Sequence, residues 1–153
     1  MNLKNYTSGV PVETTIMRIE QYLIGTGLVS GIGKEYSNGI VTSIGFQISY
    51  EADKLPLTVR IAAKVEDCQE FFWKDYCQSR RQGRKTKDDF QEQAARTAWK
   101  LQEDWIRVET SLILLHQRTV LESFISFVWD GERTFVQRIV DSKYKMLAAP
   151  KSE

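Results

Sequence analysis

Apolar residues recur along this chain with two different periods, and the switch between them outlines the fold. Val12, Ile16, Ile19 and Leu23 fall at i, i+4, i+7 and i+11 behind Pro11, which predicts a helix over 11–24. Gly25 and Gly27 supply its stop. A glycine-interrupted strand is expected from about Leu28 to Tyr36. Asn38-Gly39 has the composition of a type I′ hairpin turn. Beyond it the period becomes two. Ile40, Thr42, Ile44, Phe46, Ile48 and Tyr50 alternate with Val41, Ser43, Gly45, Gln47 and Ser49, as a half-buried antiparallel strand requires. After a turn from Glu51 to Pro56, the alternation of Leu57, Val59, Ile61 and Ala63 predicts a third strand.

The helical period then returns. Val65, Cys68, Phe71, Phe72 and Tyr76 mark a helix from about Val65 to Tyr76. From Asp88 to about Leu115 a stripe runs through Phe90, Ala94, Ala98, Leu101, Trp105, Val108, Leu112 and Leu115. Its spacing is close to that of a coiled-coil seam and predicts a long amphipathic helix of about 42 Å. Most of this stripe is expected to enter the domain's own core, with Ala95, Trp99, Ile106 and Ile113 as a second apolar edge. Asp88 is expected to serve the free N–H groups at the helix start. A break is placed near His116–Arg118, because Thr119-Val120-Leu121-Glu122 has capping-box spacing. A short apolar helix from Val120 to Trp129, a turn at Asp130-Gly131, and a strand or helical turn from Thr134 to Val140 complete the chain, with a loose tail from Ala148. The expected fold is α+β: α-β-β-β-α with a three-stranded antiparallel sheet packed on helices, followed by a long helix and a short helical hairpin. It is read as one domain over 1–153, with an α-β-β-β-α part in 1–79, a basic loop in 80–87 and a C-terminal helical part in 88–147.

Composition alters this picture little. The 153 residues are 42% hydrophobic and 27% charged, ordinary values for a globular chain able to bury a core. Charge placement matters more. The net charge of +1 names no partner, yet Arg80, Arg81, Arg84, Lys85 and Lys87 gather five cations into eight residues and leave the remainder net negative. Cys68 and Cys77 fall on or near one helix, where the rise of about 13 Å between them is too long for a disulfide. Reduced thiols and a cytoplasmic setting are expected. Met1–Ser8 carries no apolar leader, and no apolar run approaches the ~18 residues of a membrane span.

Candidate chemistry is sparse. The stretch Gly25-Thr26-Gly27-Leu28-Val29-Ser30-Gly31-Ile32-Gly33-Lys34 invites a phosphate-loop reading and fails it. Leu28 stands where the first glycine belongs, Glu35 follows the lysine, and the stretch follows a helix rather than a strand. A helix stop followed by a bulged strand is the expectation. His116 is the chain's one histidine and falls at a helix break, where a capping or surface role is expected. No Cys or His spacing suits zinc, and no nucleophile-elbow sequence is present. The adjacent carboxylates Glu66-Asp67, Asp88-Asp89 and Glu103-Asp104 point about 100° apart on a helix and do not share a site. Glu103 with Arg107 is expected as a solvated i, i+4 pair, and Asp104 as a surface salt bridge. A non-enzymatic chain without cofactor or metal is the resulting expectation.

The basic run is the strongest functional candidate. Arg80, Arg81, Arg84, Lys85 and Lys87 around Gly83 suit phosphate contact, and Arg outnumbers Lys, which favours bidentate binding. Phe71, Phe72, Trp73 and Tyr76 lie just upstream, and Trp73 is nominated as a ring on which a base could stack. Trp99 and Trp105 are nominated as interface residues if the long helix meets a host protein or a second copy of the chain. A small-ligand site would instead require a concave polar pocket between sheet and helix.

The segment Gln93-Ala94-Ala95-Arg96-Thr97-Ala98-Trp99-Lys100-Leu101-Gln102-Glu103-Asp104-Trp105 resembles one found in a family of small uncharacterised proteins of phages, prophages and mobile elements, where it reads QA-x-R-x-AW-x-x-x-x-DW. Thr15-Ile16, Leu55-Pro56 and Glu122 before an apolar turn are similar too, while that family's aromatic-Leu-Pro-Tyr segment appears only as Phe124-Ile125-Ser126-Phe127. The resemblance implies a phage or mobile-element origin, hence a host-cell cytoplasmic location, and transfers no catalytic residue. The α-β-β-β-α order is also that of double-stranded-RNA-binding domains. Where those domains open their second helix with a lysine cluster, Ala62-Ala63-Lys64-Val65 offers one lysine, so that likeness is one of topology. The sequence therefore points to an accessory protein that binds nucleic acid through its basic loop, or to a protein-interaction module built on the long helix.

Overall fold

Local chemistry at the element ends divides the chain into α1 (Val12–Gly25), β1 (Val29–Ser37), β2 (Ile40–Ile48), β3 (Leu57–Ala62), α2 (Val65–Gln78), α3 (Gln91–Leu114), α4 (Val120–Phe124) and α5 (Phe135–Asp141). Short 3-10 turns at Lys87–Phe90, Ile125–Phe127 and Lys145–Leu147 join or follow these helices. The structure, a computed structural model, describes residues 3–79 and 83–148. The architecture is α+β, with a three-stranded antiparallel sheet in the order β1-β2-β3. The chain forms two compact units, one of residues 1–26 and 62–111, the other of residues 27–61 and 112–153.

In the first unit α1 buries Thr15, Ile16, Ile19 and Leu23, three of the four apolar positions read from its spacing. Tyr22 joins α1 to α3: its hydroxyl lies 3.4 Å from the Arg107 carbonyl and 3.3 Å from Ser111 Oγ. The residues before α1 form a strap along α3. Gln93 Nε2 donates to the carbonyls of Tyr6 (2.8 Å) and Ser8 (3.2 Å), and Thr97 Oγ1 donates to that of Asn5 (3.0 Å). Asn5 Nδ2 donates to Asp104 at 2.9 Å, and Lys4 reaches the same carboxylate at 3.1 Å. Partial burial pushes the Asp104 carboxyl up. Hydrogen bonds from Asn5, Lys4 and Lys100, with the Lys100 charge, outweigh this and leave it at about 2. Asp104 is thus the anchor of the strap as well as an ion-pair partner. Tyr6 closes the strap edge-on against the buried Phe72 of α2, with ring centroids 4.7 Å apart.

The buried face of α3 is not the stripe its apolar spacing suggests. Ala94 and Ala98 are buried, but Leu101, Val108 and Leu115 are exposed. The buried line instead runs through Trp99, Glu103, Ile106, Thr110 and Ile113. Two of its members are polar and find partners within the helix, although Glu103 Oε1 has an ion pair there and no hydrogen bond. Thr110 Oγ1 donates to the Ile106 carbonyl at 2.7 Å, and Glu103 takes ion pairs from Lys100 (2.8 Å) and Arg107 (2.9 Å). Glu103 is only 1% exposed, so its pair with Arg107 is not the solvated one expected from the i, i+4 spacing. The start of the helix also differs. Thr86 and Asp89 form the cap, Asp89 accepting the Thr86 N–H at 2.6 Å, where Asp88 had been expected. The Thr-x-x-Asp spacing makes this reciprocal arrangement available, which a lone Asp88 does not.

In the second unit the β1–β2 hairpin turns through Asn38 (φ 51°) and Gly39 (φ 77°), both in the left-handed region a type I′ turn needs. β1 carries register shifts between Val29 and Gly31 and between Glu35 and Tyr36, so the glycine-rich stretch is a bulged edge strand. Ile44, Phe46 and Ile48 of β2 and Val59 and Ile61 of β3 are buried, and Phe124 of α4 meets Phe46 edge-on at 5.6 Å. Ser43, out of phase with that apolar face, is also buried. Its Oγ donates to Glu35 at 2.9 Å, Glu35 pairs with Arg60, and the Arg60 guanidinium lies 4.4 Å from the Trp129 ring centroid. α3 ends on His116, whose left-handed φ of 57° lets His116 N–H reach the Ile113 carbonyl (3.0 Å) and Gln117 N–H reach that of Leu112 (2.8 Å). The next helix opens on the expected capping box of Thr119 and Glu122. It stops at Phe124 instead of reaching Trp129. Val128 and Trp129 pair with β3, Trp129 N–H donating to the Thr58 carbonyl at 2.8 Å, because extended β-branched and aromatic residues gain a sheet edge there. Asp130-Gly131 forms the expected turn, and Thr134 caps α5, which makes the Thr134–Val140 segment helical.

Candidate nucleic-acid interface

The basic run is fixed to the first unit by its own C-terminal half. α2 presents Gln69, Trp73 and Tyr76 at i, i+4 and i+7, one helical face. Trp73 and Tyr76 stack with ring centroids 5.9 Å apart and planes at 28°, and Phe90 packs on both, at 6.3 and 5.4 Å. The loop returns across this cluster. Lys85 N–H donates to the Tyr76 hydroxyl at 3.4 Å, and the Lys85 ammonium stands 5.6 Å from the Phe90 centroid. Gly83 passes so close to the Tyr76 hydroxyl that a Cβ there would collide with it. One turn lower, Gln69 Nε2 donates to the Lys87 carbonyl at 3.0 Å and Glu70 pairs with the Lys87 ammonium. Lys87, with Lys74 behind it at 3.4 Å, holds the Glu70 carboxyl below its usual value.

The nominated residues separate accordingly. Arg80 and Arg81 lie outside the described residues. Arg84, Lys85 and Lys87 are exposed, and Trp73 is half-buried. Arg84 makes no hydrogen bond or ion pair with a described residue, Lys85 faces a ring, and Lys87 is offset by Glu70. Of the four upstream rings, Tyr76 meets the loop and Trp73 stacks on Tyr76. Phe72 enters the core, and Phe71, two residues from Trp73 and thus about 200° around the helix, projects from the opposite flank. Tyr76, Phe90 and Gln69 belong to the arrangement without having been nominated. The i, i+4, i+7 spacing of Gln69, Trp73 and Tyr76 was the signal for two of them. Trp99 is 1% exposed and belongs to the core, which leaves it no surface for a partner, and Trp105 is half-buried.

The charged cluster around Arg138 is internally paired. In the second unit Arg138 pairs with Asp130 (2.7 Å) and Glu132 (3.4 Å), and Arg133 pairs with Asp141. Arg138, helped by the Arg133 and Glu132 backbone N–H groups, holds Asp130 far below the usual carboxylate value. A groove of the same unit is lined by Leu28, Tyr50, His116, Arg118 and Glu122, but Glu122 is engaged in its capping box and His116 in a helix stop. Among the described residues no group of three or more His, Cys, Asp or Glu could hold a metal ion, and no helix is long and apolar enough to cross a membrane. Cys68 and Cys77 are free thiols. Burial raises the Cys68 pKa. No family model, curated protein or solved structure matches this chain.

Proposed function

We propose that this chain is a non-enzymatic accessory protein of a phage or mobile element that binds nucleic acid through residues 80–87. The carrying observation is the seating of residues 83–87 on α2: Gly83 and Lys85 lie against Tyr76, the Lys85 ammonium stands over Phe90, and Arg84 between them is exposed, so charge and aromatic surface adjoin. Charge supplies affinity through counterion release, and Arg84, with no carboxylate partner among the described residues, has that contact still to make. The phage origin rests on the Gln93–Trp105 likeness. In this chain Gln93, Thr97 and Asp104 of that segment hold the N-terminal strap, and Ala94, Ala98 and Trp99 are core, so the segment supports the fold that carries the basic run.

The test is a salt titration of oligonucleotide binding. Five phosphate contacts give a slope of log K against log salt of about −3.5 on a single strand and about −4.5 on a duplex. Changing Arg80, Arg81, Arg84, Lys85 and Lys87 to Gln is expected to flatten that slope toward zero. Absence of binding at low salt, or an unchanged slope in the variant, removes the proposal.

A further inference from the structure

Resting on the nucleic-acid reading above, we infer that the strip from Gly83 to Lys87 takes a single-stranded polynucleotide, with Trp73 as its base-stacking platform. Two features of the site separate a single strand from a duplex. The first is the ring cluster. Trp73 stacks on Tyr76 and meets Phe90 at a tilt yet is only half-buried, so part of the indole stays open in a cluster whose Tyr76 and Phe90 rings carry Lys85. A duplex keeps its base faces inside the helical stack and has nothing to lay on such a ring. A single strand offers one base face per nucleotide, and stacking on an aromatic side chain strengthens binding without reading sequence.

The second feature is the width of the positive strip. Glu70 on α2, paired with Lys87, and Asp88, next to Lys87 in the 3-10 turn, bound it at its C-terminal end. Glu70 already draws Lys87 and Lys74 onto itself. A rigid duplex presents two rows of phosphate over a broad face and brings some of them against these carboxylates. A flexible strand follows Arg84 and Lys85 alone and avoids them. The anchoring by Tyr76 and Gln69 fixes the strip's path over the rings before any ligand arrives, which lowers the ordering cost of binding.

The experiment uses the whole chain and three labelled probes of about 15 units, within the site size of known single-strand binders. They are oligo-dT, an abasic strand of equal charge, and a duplex. Fluorescence anisotropy is expected to give a dT affinity about tenfold above that of the abasic strand, and also above that of the duplex. This comparison needs no variant. In Trp73→Leu, checked for folding by circular dichroism, dT affinity falls to the abasic level while abasic affinity holds. The dT-induced quenching of tryptophan emission also disappears. Phe71→Ala, on the far flank of α2, changes neither. Equal affinity for all three probes, or a dT preference that survives Trp73→Leu, overturns the single-strand inference and leaves the nucleic-acid reading standing. No binding to any probe at low salt overturns both.

Discussion

The strip at Gly83–Lys87 and the open side of α3 at Leu101 and Val108 are the two surfaces of the first unit with a claim to meet a partner, and they are built differently. The strip has a scaffold: Tyr76 and Gln69 bond its backbone, Glu70 takes Lys87, and rings lie under Lys85. The open side of α3 has none. Leu101 is 40% and Val108 55% exposed, two turns apart, and scattered apolar side chains of that kind are normal on a monomer. A charged surface whose backbone is held by side chains of a neighbouring helix is the better functional candidate than one left over when a helix turned its other side inward.

That contrast breaks if the inward side of α3 is wrongly assigned. The largest expected effect is therefore Trp99→Ala, which should cost about 3–5 kcal/mol in denaturant unfolding. Glu103→Ala should cost roughly 1–3 kcal/mol, because the side chain is buried and holds Lys100 and Arg107. Asp104 gives a pH signature. Its folded pKa of about 2 lies below the usual 3.8, so the stability it contributes is present above pH 3.8 and is lost as pH falls through about 2. Urea midpoints of the wild type and Asp104→Asn should converge over that window. The smallest effect is expected at Leu101→Ala and Val108→Ala, within about 0.5 kcal/mol each, with no change of mass by size-exclusion light scattering. A loss of dimer in these two would make the open side an interface and reverse the ranking.

Sequence patterns read the two halves of the fold unequally well. The alternation from Ile44 to Ile48 found the buried face of β2, and Asn38-Gly39 and Thr119–Glu122 found their turn and cap, because each is a local rule that needs no tertiary partner. α3 misled for a physical reason. Its buried line includes Glu103 and Thr110, which read as a solvated face until their bonds to Lys100, Arg107 and the Ile106 carbonyl are seen. The same limit applies at Ser43, buried through Glu35, and at Val128–Trp129, where an apolar run leaves the helix to pair with β3. At the candidate site the sequence supplies Arg84, Lys85, Lys87 and Trp73 as residues of one neighbourhood, while Arg80 and Arg81 lie outside the described residues. Phe90 was not legible there, since its place in the apolar period of α3 hid its contact with Trp73 and Tyr76.

The central claim is that the strip, and not the open side of α3, carries the contact with a partner. One oligo-dT titration at low salt, run in parallel on Arg84→Gln/Lys85→Gln and on Leu101→Ala/Val108→Ala, tests it most directly. The first variant should lose about tenfold or more in affinity, with a salt slope flatter by about 1.4, and the second should bind as the wild type does. Wild-type binding by the strip variant, or a loss confined to the α3 variant, would contradict the account.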